Sequence, residues 1–207
     1  MSKQIETVRE RRTIALPIEL RAKKESSPDV VSGYAALFYD SKDPGTQYQL
    51  WSGCFERIQP GAFDSALKRP DDVRCLFNHD PNQILGRSLS ETLTLKVDSK
   101  GLYFECQLPN SPAGQTVREA IARGDVSGCS FSFDVLVATW TEANSGADEI
   151  NYRDILDVAL YDVGPVTFPA YVSTEIEVNS VKRSLEQFRA EQRPTKRESR
   201  RRRLRLS

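Results

Sequence analysis

The chain has 207 residues, 39% of them hydrophobic, and its 29 Lys and Arg balance its 29 Asp and Glu. That length supports one domain with a sizeable core, and no apolar run reaches the roughly 20 residues that a membrane helix needs. The first residues, Met1-Ser2-Lys3-Gln4-Ile5-Glu6, lack the apolar stretch of a signal peptide, so a cytosolic protein without membrane partners is expected.

Residues 1–11 are polar and charged and read as a poorly ordered end. Thr13 to Ala22 reads as a strand, at a sheet edge because Pro17 cannot donate to a ladder. Val31 to Phe38 is a second strand, and Tyr39 to Ser52 a long polar loop. Phe55-Glu56-Arg57-Ile58 is a short strand closed by Pro60-Gly61, and Ala62 to Leu67 a short helix stopped before Pro70. Val73 to Phe77 is a strand running out at His79. Ile84–Ser88 and Leu89–Val97 form a bent strand, and Asp98-Ser99-Lys100-Gly101 turns it into Leu102–Leu108. Ser111 and Pro112 predict a helix start, Val117, Ala120 and Ile121 its apolar stripe, and Gly124 its stop. Ser127 to Trp140 is a long strand, Thr141 to Ile150 a polar mobile loop, and Tyr152–Leu160 and Asp162–Phe168 the last two strands. Ser184 to Glu191 is a candidate helix.

Many strands, two or three short helices and no βαβ alternation point to a mainly β (α+β) fold. A closed or nearly closed antiparallel β-barrel with peripheral helices is the expected architecture, because closure removes exposed edges. Cys54, Cys75, Cys106 and Cys129 show no CxxC spacing, which suggests neither zinc nor disulfides, and each lies in or beside an apolar stretch, as a buried free thiol would. No cofactor or metal is expected.

The zero net charge hides an asymmetry. Residues 181–207 hold eleven Lys or Arg against three Asp or Glu, a balance of +8, so residues 1–180 carry −8. The run Arg200-Arg201-Arg202-Arg203-Leu204-Arg205 cannot enter a core, because burying unpaired charge is too costly. The expected organisation is a polar N-terminus over 1–11, a folded domain over 12–180 and a basic tail over 181–207. The tail reads either as a solvated, disordered end or as an electrostatic handle for an acidic protein surface. Nucleic acid is the less expected partner, because the tail has no interleaved aromatics.

Two chemical candidates stand out. His79 is the chain's one histidine, and it follows a strand and precedes Asp80-Pro81, where loops present reactive side chains. Fifty-one residues later stands Ser130, within Val126-Ser127-Gly128-Cys129-Ser130-Phe131-Ser132-Phe133, a small-residue turn within a strand-like run. A base and a hydroxyl on strand edges are the minimum for serine hydrolysis. Ser127, Ser130 and Ser132 compete for the nucleophile, with Ser130 and Ser132 sharing one face. Gly128 offers a turn whose amide would point at an oxyanion, and Arg87 is an ion-pair former that also sits among the candidates.

Six segments appear in order: Gly33-Tyr34-Ala35-Ala36, Ile58-Gln59-Pro60-Gly61-Ala62-Phe63, Phe77-Asn78-His79, Leu85-Gly86-Arg87, Ser127-Gly128-Cys129-Ser130-Phe131, and Asp162-Val163-Gly164-Pro165-Val166-Thr167-Phe168-Pro169-Ala170-Tyr171. Together, over roughly residues 30–175, they resemble the prohead maturation proteases of tailed bacteriophages, a family similar in fold to herpesvirus assemblins. The resemblance implies a serine endopeptidase acting inside the assembling prohead in the host cytoplasm. Its implied substrates and partners are scaffold, the scaffold-like segment of the major capsid protein, and often the protease itself; a homo-oligomer is left open. It matches His79 to the catalytic histidine, Ser130 to the catalytic serine and Asp162 to the third, acidic member, where the family more often has Glu. Asp154 and Asp157 are the rivals of Asp162, and otherwise read as solvent-facing strand positions. Ser132 and Gly164 depart from the glycine and serine usual at those places. The alternative is a non-enzymatic scaffolding or capsid-interior protein on the same fold, which the retained His79 and Ser130 disfavour.

Overall fold

In the computed structural model, residues 9–14, 17–21, 28–69, 72–145, 148–168 and 175–192 are described. The strands are β1 (Glu10–Ile14), β2 (Glu19–Arg21), β3 (Val30–Leu37), β4 (Gln47–Trp51), β5 (Cys54–Ile58), β6 (Arg74–Leu76), β7 (Ile84–Arg87), β8 (Leu93–Val97), β9 (Gly101–Gln107), β10 (Gly128–Ser145) and β11 (Asp148–Val166). The helices are α1 (Asp64–Lys68), α2 (Pro112–Arg123) and α3 (Glu175–Gln192). The chain divides into two units, residues 1–173 and 174–207. The first holds both sheets with α1 and α2, and the second holds α3.

One sheet runs β1-β10-β11-β5-β4, with β6 attached to β11 and β7 to β6; the other runs β2-β3-β9-β8. They share one core. Val31, Ala35, Leu102, Phe104 and Cys106 of the smaller sheet lie in one cluster with Cys129, Phe131, Phe133, Ile155 and Val163 of the larger. Stacked Phe131 and Phe133, with ring centroids 4.7 Å apart, anchor β10 in that core. A fully buried aromatic contributes about 1.5–3 kcal/mol by removal from water.

The expected closed antiparallel barrel does not form. Neither sheet closes among the described residues, and two pairings are parallel: β11 with β5, and β11 with β6. The reason lies in β11, which is central and paired along both sides. Two facing sheets then bury the apolar side chains that closure would otherwise have to enclose.

Local signals worked where they were strongest. The α2 start is capped by Ser111, which accepts from the Gly114 amide at 3.4 Å, and the helix ends at Gly124 with φ of 80°. Non-local choices differ from expectation. The predicted strand over 13–22 is two strands in two sheets, separated around Pro17. The loop over 39–52 contains β4, whose Leu50 is buried. The loop over 141–150 continues the β10–β11 ladder to Ser145 and Asp148, and the two last strands are one. The four cysteines are free and buried, and burial pushes the Cys129 thiol up to about 12. In its own unit α3 is longer than the 184–191 segment expected, and carries Val178, Val181, Leu185 and Phe188 at helical spacing. The limits expected at 11/12 and 180/181 fall inside β1 and α3. The arginine run over 200–205 lies outside the described residues.

Candidate active site

Asp162 owes its position to a bulge. Ser132 pairs with Asp162 but Phe133 pairs with Leu160, so Tyr161 has no opposite residue. In a regular strand Leu160 and Asp162 would share a face. The extra residue lets Leu160 and Val163 both enter the core while Asp162 turns the other way. Tyr161 is held outside, donating to Asp134 Oδ2 at 2.7 Å.

His79 is brought to Asp162 by the parallel pairing of β6, in which Asp162 lies opposite Arg74 and Val163 opposite Cys75. Three residues past β6, Asn78 and His79 both adopt left-handed backbone, with φ of 55° and 58°. Such conformations cost about 1–2 kcal/mol for an L-residue, less for Asn. The Asn78 side chain offsets this by clamping the loop to the end of β11. Its Nδ2 donates to Thr167 Oγ1 at 3.0 Å, its Oδ1 accepts from the Thr167 amide at 2.8 Å, and its own amide donates to the Pro165 carbonyl at 3.1 Å. Sequence reasoning missed Asn78; its signal was an Asn immediately before the one histidine.

Ser130 lies on β10 opposite Gly164 of β11. A Cβ at Gly164 would fall on the carbonyl of Leu76, three residues before His79. The missing side chain therefore permits the close approach of β6 that carries the histidine loop in.

The three predicted residues meet. His79 Nδ1 is hydrogen-bonded to Asp162 Oδ1, and His79 Nε2 lies 2.6 Å from Ser130 Oγ. The His79 and Asp162 side chains are 10% and 9% exposed, and Ser130 is fully buried. A carboxylate only accepts, so the proton of neutral imidazole sits on Nδ1. Nε2 then presents its lone pair to the serine hydroxyl.

The competitors go elsewhere. Asp154 accepts from Arg57 Nη2 at 2.6 Å and from Gln59 Nε2 at 2.6 Å, and Asp157 accepts from Ser65. Both are engaged side chains rather than solvent-facing ones. Ser127 is exposed and precedes β10, and the Ser132 hydroxyl is buried with no hydrogen-bond partner among the described residues. Arg87 is paired with Asp72 at 2.6 Å, and Gly128 lies in the ladder opposite Val166 rather than in a turn. Among the described residues no group of three His, Cys, Asp or Glu is placed to hold a metal ion, and no helix is long and apolar enough to cross a membrane.

The family model described as caudovirus prohead serine protease matches residues 17–191. The chain belongs to that family. It is a phage capsid maturation protease and acts within the prohead, the compartment from which the family takes its description. A solved structure of the bacteriophage T4 capsid assembly protease, gp21, is similar in fold, with a TM-score of 0.52 at 13% identity, over 79% of this chain and 99% of that one. No curated protein matches in sequence.

Proposed function

We propose that the chain is a serine endopeptidase that cleaves scaffold or the scaffold-like segment of the major capsid protein, and itself, inside the procapsid in the host cytoplasm. Ser130 is the nucleophile, His79 the general base and acid, and Asp162 the carboxylate that orients the imidazole. The observation that carries this reading is the unbroken hydrogen-bonded chain from Asp162 through both ring nitrogens of His79 to the Ser130 hydroxyl. Family membership and a similar fold in a protease named for capsid assembly support the choice of substrate.

The chemistry follows from the geometry. Ser130 Oγ forms a bond to the substrate carbonyl carbon while its proton passes to His79 Nε2, 2.6 Å away. The C–N bond breaks, and His79 gives that proton to the departing amine. Water then attacks the acyl ester, losing a proton to His79, and the ester C–O bond breaks as Ser130 takes the proton back. Asp162 stays ionised and stabilises the imidazolium formed in each half.

The test is co-expression with the major capsid protein, parent against Ser130→Ala, read by mass spectrometry of the fragments. The variant is expected to leave the capsid protein whole. Processing at the parent level in Ser130→Ala would overturn the assignment and turn attention to Ser132.

A further inference from the structure

His79 is carried on a loop that closes on itself. β6, which leads into it, pairs with β11 only through Arg74, opposite Asp162, and Cys75, opposite Val163. Beyond β6 the Phe77 amide donates to the Gln83 carbonyl at 3.1 Å, the Gln83 amide to the Asp80 carbonyl at 2.9 Å and the Asp80 amide to the Phe77 carbonyl at 3.1 Å. Asp80 Oδ1 accepts from the Asn82 amide at 2.8 Å. These bonds fix the shape of the loop. None of them reaches β11, so none fixes where the imidazole stands relative to Asp162 and Ser130.

Asn78 supplies that attachment. Its amide donates to the Pro165 carbonyl, its Oδ1 accepts from the Thr167 amide at 2.8 Å, and its Nδ2 donates to Thr167 Oγ1 at 3.0 Å. Pro165 and Thr167 follow Gly164, which lies opposite Ser130. The histidine loop is thereby referenced to the same stretch of chain that places the nucleophile and the carboxylate. Asn78 is exposed, so it adds little to the core. Its backbone conformation alone does not call for asparagine. With φ of 55°, glycine would take the position with less strain, but glycine has neither the amide oxygen nor the amide nitrogen. Asparagine both tolerates the left-handed region and makes the attachment.

We propose that Asn78 and Thr167 form a positioning latch for His79. The pair holds Nδ1 against Asp162 and Nε2 at 2.6 Å from Ser130 Oγ, and so sets the rate of the proton transfers without touching substrate. Proton transfer needs heavy atoms within hydrogen-bond reach, and a misplacement of about 1 Å costs about 100-fold. Asn78 and Thr167 are positioning residues, because they act through His79. The proposal rests on the serine-endopeptidase reading above.

The test compares the full chain with its Asn78→Gly, Asn78→Asp and Thr167→Val variants, each checked for folding by circular dichroism. His79 is the chain's one histidine, so isotope labelling of histidine nitrogen yields a single imidazole in the NMR spectrum. Its Nδ1 proton, shared with a carboxylate, is strongly deshielded and reports the bond to Asp162 without any substrate. In Asn78→Gly that signal is expected to be lost to exchange with water. Cleavage of the capsid protein should show kcat down about 100-fold and KM within about two-fold of the parent. Asn78→Asp can rebuild the latch, one oxygen accepting from the Thr167 amide and the other from the Thr167 hydroxyl. It should keep the signal and hold kcat within about ten-fold of the parent. Thr167→Val keeps the amide bond and loses one neutral hydrogen bond, for a fall of at most about ten-fold in kcat. Parent-like kcat and signal in Asn78→Gly would overturn the latch, since Asn78 would then serve only its backbone conformation. So would Asn78→Asp as slow as Asn78→Gly, or a raised KM at unchanged kcat, which would place Asn78 against substrate. Failure of the endopeptidase reading has a different sign: Ser130→Ala still processes the capsid protein, whatever the His79 signal does in Asn78→Gly.

Discussion

Replacing Asp162 by Asn tests the site at its least obvious member. The substitution keeps shape and backbone pairing, since Asp162 sits in the ladder between Ser132 and Arg74. It changes what faces His79 Nδ1. The carboxylate forces the ring proton onto Nδ1 and leaves Nε2 free, 2.6 Å from Ser130 Oγ, to take the serine proton. An amide can instead donate to Nδ1, which moves the ring proton to Nε2, where it blocks the transfer. In serine hydrolases the wrong tautomer costs about 10⁴ in kcat, or about 5.5 kcal/mol at roughly 1.4 kcal/mol per decade. Stability should change far less, by no more than the roughly 1.5–3 kcal/mol of one charge-assisted hydrogen bond. The assay is single-turnover cleavage of the capsid protein, with thermal unfolding measured in parallel. The reasoning is refuted if Asp162→Asn keeps activity within about ten-fold of the parent while Asp154→Asn or Asp157→Asn is dead.

Ser130→Ala and His79→Ala should each abolish cleavage, and the double variant should be no slower than either, because the pair acts as a unit; additive losses in the same assay would argue for separate roles. Gly164→Ala should cost about 1–3 kcal/mol in denaturant unfolding, because its Cβ meets the Leu76 backbone, and should lower kcat by shifting the histidine loop; parent-like values in both would remove the packing argument. Tyr34 donates to Asp98 Oδ2 at 2.6 Å, and that bond, with burial second, raises its phenol to about 12. A folded-state value raised above the ordinary 10 means that its stabilisation is present below pH 10 and is lost as pH rises toward 12, so the parent-minus-Tyr34→Phe absorbance titration should have its midpoint near 12, and a midpoint near 10 would contradict this. Ending the chain at Gln192 preserves α3 and removes eight of the basic residues; peptide cleavage should be unchanged while incorporation into assembling heads falls, and equal incorporation would leave the basic segment without a targeting role.

What the sequence determined by itself was local. Ser111, Pro112 and Gly124 delimit α2 because capping involves groups within one turn of each other. His79 and Ser130 were legible as residue types in motifs, one at a strand end and one within a strand. Asp162 was legible only by resemblance, since three aspartates in one apolar stretch look alike along the chain. The tertiary structure separates them through the bulge at Tyr161 and the parallel pairing with β6, both of which depend on partners far away in sequence. The same dependence explains the open sheets where a closed barrel was expected, and the split of residues 10–21 between two sheets around Pro17. It also explains β1. Of Glu10-Arg11-Arg12-Thr13-Ile14 only Thr13 and Ile14 read as strand, because the place of Glu10 and Arg12 depends on Glu56, Arg153 and the edge of β10, and those exist as neighbours only once the chain has folded.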